Sequence, residues 1–185
     1  MNEKVLVERL TIRPTLVCNL RCKLCNEYSP YYKSDKIQPI EQVLNDIDRT
    51  FELVDYIEKL EVSGGEPLLY KPLPQVLSHI LKYNHRFEYF SLVTNGSILL
   101  NSELLCGLSA IGKKVRVIVD DYGEGLSKNA KNNVKLLQNH DIRYELRDQH
   151  ANIHSDGWLD FSDFSLKHND EQARDIFSHL SLIHI

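Results

Sequence analysis

Residues Ile40 to Gly65 read IEQVLNDIDRTFELVDYIEKLEVSGG, and two hydrophobic periods follow one another inside this stretch. The apolar positions Val43, Leu44, Ile47, Phe51, Val54 and Ile57 recur at helical spacing, and Pro39 stands where a first helical turn tolerates a missing N–H. From about Lys59 to Ser63 the pattern becomes strand-like, and Gly64-Gly65 stops it. A long amphipathic helix running straight into a short apolar strand is half of a strand-helix-strand unit. On the amino-terminal side, Arg9 to Val17 supplies a β-branched first strand.

The same alternation continues toward the carboxyl end. Val76, Leu77, Ile80 and Leu81 mark a second helix reached through Pro72-Leu73-Pro74, and Phe87 to Thr94 reads as a third strand ended by Asn95-Gly96. Leu104, Leu105 and Leu108 predict a short helix, Val115 to Val119 a fourth strand, Ala130, Val134 and Leu137 a helix opened by Ser127, and Arg143 to Leu146 a fifth strand. This order is βαβαβαβαβ, an α/β chain whose strands must be mainly parallel and joined by right-handed crossovers. Gln149 to Asp170 shows no period and is expected to be irregular, with Trp158, Phe161 and Phe164 sealing an open side of the fold. A helix-like run begins at Glu171.

Composition narrows the function classes. The 185 residues are 42% hydrophobic and 26% charged, which is ordinary globular chemistry and enough chain to bury a core without disulfides or a structural metal. A net charge of −4 gives no general attraction to nucleic acid phosphates or anionic membrane surfaces. The amino end carries mixed charges rather than an apolar signal core, and no run approaches a membrane span, so a cytoplasmic protein is expected.

The unusual residues sit at strand ends. Cys18, Cys22 and Cys25 follow strand one, Gly64-Gly65-Glu66-Pro67 strand two, Thr94-Asn95-Gly96 strand three, Asp120-Asp121 strand four and Asp148-Gln149-His150 strand five. In parallel β/α proteins that edge is where sites are built, because the strand-to-helix loops converge there on a rigid scaffold. Three thiols spaced by three and two residues can wrap one metal centre. A closed structural zinc site wants a fourth ligand, which neither Cys106, expected to be a small buried hydrophobe, nor a neighbouring histidine supplies. A three-cysteine iron–sulfur cluster instead leaves one iron open. A zinc or iron–sulfur protein with a structural or electron-transfer role is the competing reading.

The loop CNLRCKLC from Cys18 to Cys25, followed by GGEP at Gly64 to Pro67 and TNG at Thr94 to Gly96, resembles the radical S-adenosylmethionine (radical SAM) enzymes. The resemblance runs from about Thr11 to at least Asp148 and looks closest to the branch containing peptide-modifying and cofactor-maturing members. It implies a partial (β/α) barrel. It also implies that Cys18, Cys22 and Cys25 each ligate one iron of a [4Fe–4S] cluster, while the fourth iron chelates the methionine part of S-adenosylmethionine. Gly64 and Gly65 would let backbone approach that cofactor, Glu66 would offer a carboxylate to its ammonium group, and Pro67 would stiffen the turn. Thr94 and Asn95 would hydrogen-bond its polar parts, and Asp120 would accept from ribose hydroxyls. Leu24 stands where the family usually carries an aromatic beside the adenine, so an aliphatic side chain would cover the base. The implied partners are a one-electron donor such as flavodoxin or ferredoxin and an unidentified substrate, with no nucleic acid and no membrane. Arg147, Asp148, His150, His154 and His168 form the pool of expected substrate contacts.

The last six residues, Leu180 to Ile185, look like the translated end of a library adapter rather than native sequence. Residues 1–179 are accordingly expected to be an incomplete core domain and 180–185 a non-native tail.

Overall fold

In a computed structural model the chain is described for residues 4–22, 25–33, 36–149 and for 171, 172 and 174. It divides into two compact units, Met1–His154 and Ser155–Ile185. Of the second, Glu171, Gln172 and Arg174 are helical and exposed. Leu24, His150, His154, Trp158, Phe161, Phe164, His168 and the tail from Leu180 lie outside the described residues.

The first unit runs β1 (Leu6–Ile12), α1 (Ile40–Leu53), β2 (Tyr56–Val62), α2 (Leu73–Ile80), β3 (Phe87–Thr94), α3 (Ser102–Ile111), β4 (Val115–Asp121), α4 (Ala130–Asn139) and β5 (Arg143–Asp148). The strands form one sheet in the order β1-β2-β3-β4-β5, and every neighbouring pair is parallel. Sequential order without reversal separates this sheet from doubly wound folds, whose strand order turns back at a switch point. Right-handed crossovers that always step in one direction put their helices on one face and curl the sheet into part of a (β/α) barrel.

The two faces differ in chemistry, as period-2 alternation requires. Leu60, Phe90, Leu92, Val117 and Val119 are buried against Val43, Ile47, Phe51, Leu77, Leu108 and Leu137 of the helices. Along the other parity the register aligns Thr11, Glu61, Ser91, Arg116 and Arg143, a polar row across all five strands. Glu61 is buried there and held by Arg9 at 2.6 Å, Lys59 at 2.8 Å and Ser91 at 3.0 Å.

Several expected boundaries move, each for a local reason. β1 ends at Ile12 rather than Val17, because Pro14 cannot donate to a ladder. Thr15 forms an antiparallel bridge with Ile37 instead. α1 stops at Leu53, and Val54 and Ile57 leave the helical pattern. Arg86 takes the carbonyls of Phe51, Val54 and Asp55 at 3.1, 2.6 and 2.7 Å and so serves as the cap that no glycine provides. β2 consequently starts at Tyr56. α4 opens at Ala130 after Asn129, not at Ser127. Asp120, Asp121 and Asp148 are the last residues of their strands rather than loop residues. Cys106 is exposed on α3, contrary to its expected burial.

Candidate functional site

The loop after β1 is laid against the loop after β2 by backbone. Gly65 N–H donates to the Thr15 carbonyl at 2.9 Å and Glu66 N–H to the Val17 carbonyl at 2.8 Å, which fixes the chain immediately before Cys18. Only glycine permits this approach. A Cβ on Gly64 would lie 2.3 Å from the Thr15 oxygen, and one on Gly65 2.3 Å from the Val17 oxygen. Gly64 also has φ +129°, a region closed to side-chain-bearing residues. Thr15 stiffens the segment by donating its hydroxyl to the Lys36 carbonyl and accepting from Val17 N–H at 3.0 Å.

Glu66 is 0% exposed and joins three segments. Its Oε1 accepts from Leu68 N–H at 3.0 Å and from the Thr94 hydroxyl at 2.9 Å, while Oε2 accepts from Asn95 N–H at 2.7 Å. Pro67 follows as the first residue of the short 3-10 turn Pro67–Leu69, where its missing N–H costs nothing. Burial raises the Glu66 pKa, helped by the charge of Asp120 and opposed by the three donors. One lone pair on Oε2 is left for a further donor.

The cysteine loop connects to this unit through Asn95. Its amide donates to Cys18 Sγ at 3.6 Å and to Asn19 Oδ1 at 3.1 Å, and Asn19 donates to Ser97 Oγ at 2.8 Å. Leu20 N–H adds a second donor to Cys18 Sγ at 3.4 Å. Ser127, which does not open α4, donates its hydroxyl to the Asn95 carbonyl at 2.6 Å and thereby ties the ends of β3 and β4 together. Asp120 is engaged by Arg147 through two bonds, at 2.7 and 2.9 Å, and by Gln149 at 2.9 Å.

Cys18, Cys22 and Cys25 are unpaired and partly exposed. Burial pushes the Cys18 thiol up, with the charges of Glu66 and Cys22 adding to it. Burial and then Cys25 do the same for Cys22. Thiols held protonated first by burial and then by neighbouring anions can ionise on binding a cationic iron centre, whose charge offsets both effects. Among the described residues no three His, Cys, Asp or Glu side chains form a single-ion site. A four-iron cluster spreads its ligands over the corners of a larger body than one ion.

The structure thus joins Cys18, Gly64, Gly65, Glu66, Pro67, Thr94 and Asn95 in one hydrogen-bonded unit and sets Asp120 beside it. Asn19, Ser97 and Ser127 also belong to the unit; the bonds from Asn19 to Ser97 and from Ser127 to Asn95 span distant parts of the chain and so are not visible in the sequence. Arg147, placed among substrate contacts by sequence, pairs with Asp120. Tyr122, also missed, is an aromatic of this edge; burial, then the charges of Asp120 and Cys22, pushes its phenol above the usual range.

The sequence profile of the Radical SAM superfamily matches residues 12–143. Among curated proteins, a probable GTP 3',8-cyclase of Archaeoglobus fulgidus is 36% identical over 108 residues, 57% of this chain and 34% of that protein. One of Methanococcus maripaludis is 33% identical over 91 residues, 49% of this chain and 29% of that protein. The chain therefore matches about a third of the length of these relatives. Among solved structures, anSMEcpe with bound AdoMet superposes with TM-score 0.59 at 22% identity, covering 76% of this chain and 43% of that one. Streptococcus suis SuiB bound to S-adenosylmethionine gives TM-score 0.60 at 14% identity, covering 94% and 37%. These likenesses establish the partial-barrel fold.

Proposed function

The chain belongs to the radical SAM superfamily, and from that premise we propose that it binds a [4Fe–4S] cluster through Cys18, Cys22 and Cys25 and cleaves S-adenosylmethionine reductively. The observation that carries this reading is the bonded unit in which Cys18, the Gly64-to-Pro67 loop and Asn95 meet. The chemistry supplied by the bound pair is one-electron cleavage of a carbon–sulfur bond, giving methionine and a 5′-deoxyadenosyl radical that takes a hydrogen atom from a substrate.

The chain's own residues bind and orient. Gly64 and Gly65 bring the second loop to backbone distance from the first, which sets the start of the cysteine loop beside Glu66. The open lone pair of Glu66 Oε2 would accept from the cofactor's ammonium group. Thr94 and Asn95 hold Glu66 in place. Asp120 keeps acceptor capacity beyond its bonds to Arg147 and Gln149 and would accept from the ribose hydroxyls. Leu24 would cover the adenine.

A one-electron donor such as flavodoxin or ferredoxin completes the reaction, in the reducing cytoplasm. The relatives suggest two substrate classes, a nucleotide as in the GTP 3',8-cyclases and a peptide as in SuiB bound to precursor peptide SuiA. Anaerobic reconstitution with iron and sulfide, then assay of S-adenosylmethionine cleavage under dithionite, tests the proposal. Ala at Cys18, Cys22 or Cys25 should abolish the brown cluster absorbance, and Cys106→Ala, on the exposed face of α3, should leave it unchanged. A cluster that survives loss of Cys22, or one whose spectrum ignores S-adenosylmethionine, would favour a structural or electron-carrying role.

A further inference from the structure

We infer that Asn95 is a positioning residue that donates an N–H to the Cys18 thiolate and raises the reduction potential of the cluster. This rests on the cluster reading above and deepens it.

The orientation of the Asn95 amide is determined by a donor that cannot change role. Ser97 N–H points at Asn95 Oδ1 from 3.0 Å, and the Ser97 hydroxyl lies against the same oxygen. The oxygen must therefore face Ser97, which turns the amide nitrogen toward Asn19 Oδ1 at 3.1 Å and Cys18 Sγ at 3.6 Å. The rest of the residue is equally engaged. Its backbone N–H is bound to Glu66 at 2.7 Å, its carbonyl accepts from Ser127 at 2.6 Å, and it is 9% exposed. Four segments thus converge to aim one N–H at one sulfur, where a merely structural asparagine would need no sulfur partner.

Hydrogen bonds to ligand sulfur stabilise the state with more negative charge, which for a one-electron couple is the reduced state. Leu20 N–H also reaches Cys18 Sγ, at 3.4 Å, but it arises from the local turn of the cysteine loop. Asn95 arrives from the end of β3 and acts as a separately adjustable donor.

The test is an EPR-monitored redox titration of the reconstituted 185-residue chain, run without S-adenosylmethionine, in wild type, Asn95→Ala and Asn95→Asp. At a fixed potential the reduced-to-oxidised ratio should fall about tenfold in Asn95→Ala, a negative shift of about 59 mV for one electron. Asn95→Asp keeps the acceptor for Ser97 but sets a carboxylate oxygen against the sulfur, so its shift should be larger and of the same sign. Ser97→Ala removes the hydroxyl beside the Asn95 oxygen but keeps the N–H that orients the amide, so it loosens the donor without turning it; it should give a smaller negative shift and serves as the test if both Asn95 variants fail to fold.

Unchanged potentials in folded variants that hold the cluster overturn this inference and leave the cluster reading standing. A wild-type chain that assembles no cluster overturns both. Cluster loss from both Asn95 variants with an intact far-UV spectrum would make Asn95 a structural prop and also overturn the inference.

Discussion

Glu66 collects three donors on two oxygens, and that geometry decides how it tolerates change. Glutamine has the same shape but one acceptor oxygen, so its amide group must face Asn95 N–H or the pair from Leu68 and Thr94. A donor would then meet a donor inside the protein. Removing the charge relieves the burial that raises the pKa of this carboxyl, but the unsatisfied buried group outweighs that relief. We expect Glu66→Gln to lower unfolding stability by about 1–3 kcal/mol. Urea denaturation at neutral pH would check this, and an unchanged midpoint would show that Glu66 is not the junction of the three segments. The importance of Glu66 is visible in the sequence, because a carboxylate after two glycines at a strand end has little packing reason to be there. Its partners are not visible, since Thr94 and Asn95 reach it only after the sheet has formed.

At the scale of elements, β3 is legible to the residue, because Phe87 to Thr94 is rich in aromatic and aliphatic residues and Asn95-Gly96 punctuates it. β1 is not, since a β-branched run continues past Pro14 and only hydrogen bonding reveals where pairing ends. The end of α1 was hidden for a related reason: its cap, Arg86, belongs to the chain just before β3. Glu61, next to last in β2, makes a contribution that pH can test. Burial pushes its carboxyl up, but the bonds from Lys59, Arg9 and Ser91 win and hold it below the usual range. The folded state therefore releases this proton more readily than the unfolded chain does. Its contribution is present above the ordinary glutamate value of about 4.3 and is lost as pH falls through the lower folded value. Glu66, with its pKa raised, has the opposite sign, and its contribution declines as pH rises from that same value. Urea midpoints should thus rise more steeply between pH 3 and pH 6 in wild type than in Glu61→Gln. Parallel curves would mean that the bonds of Glu61 to Arg9, Lys59 and Ser91 across β1, β2 and β3 do not help hold the sheet.

For the whole molecule, sequential strand order has a consequence for what must be present to fold. The core residues from Val43 to Ile142 all fall within Met1–His154, and so does every described site residue from Cys18 to Gln149. Neighbouring strands pair with the strand next in sequence, so each crossover unit adds onto a sheet already formed and no strand awaits a distant partner to enter. The first unit should therefore carry both stability and site. A chain ending at His154 is expected to melt in one cooperative transition, losing less than about 1 kcal/mol, or about 2–4 °C in Tm, relative to the 185-residue chain. After anaerobic reconstitution it should hold the same amount of iron per chain. Circular dichroism melting and iron quantitation of the shortened chain check both statements. A broad, non-cooperative melt would show that residues beyond 154 are needed to complete the barrel arc, and normal melting with no iron would show that they are needed to close the cluster loop.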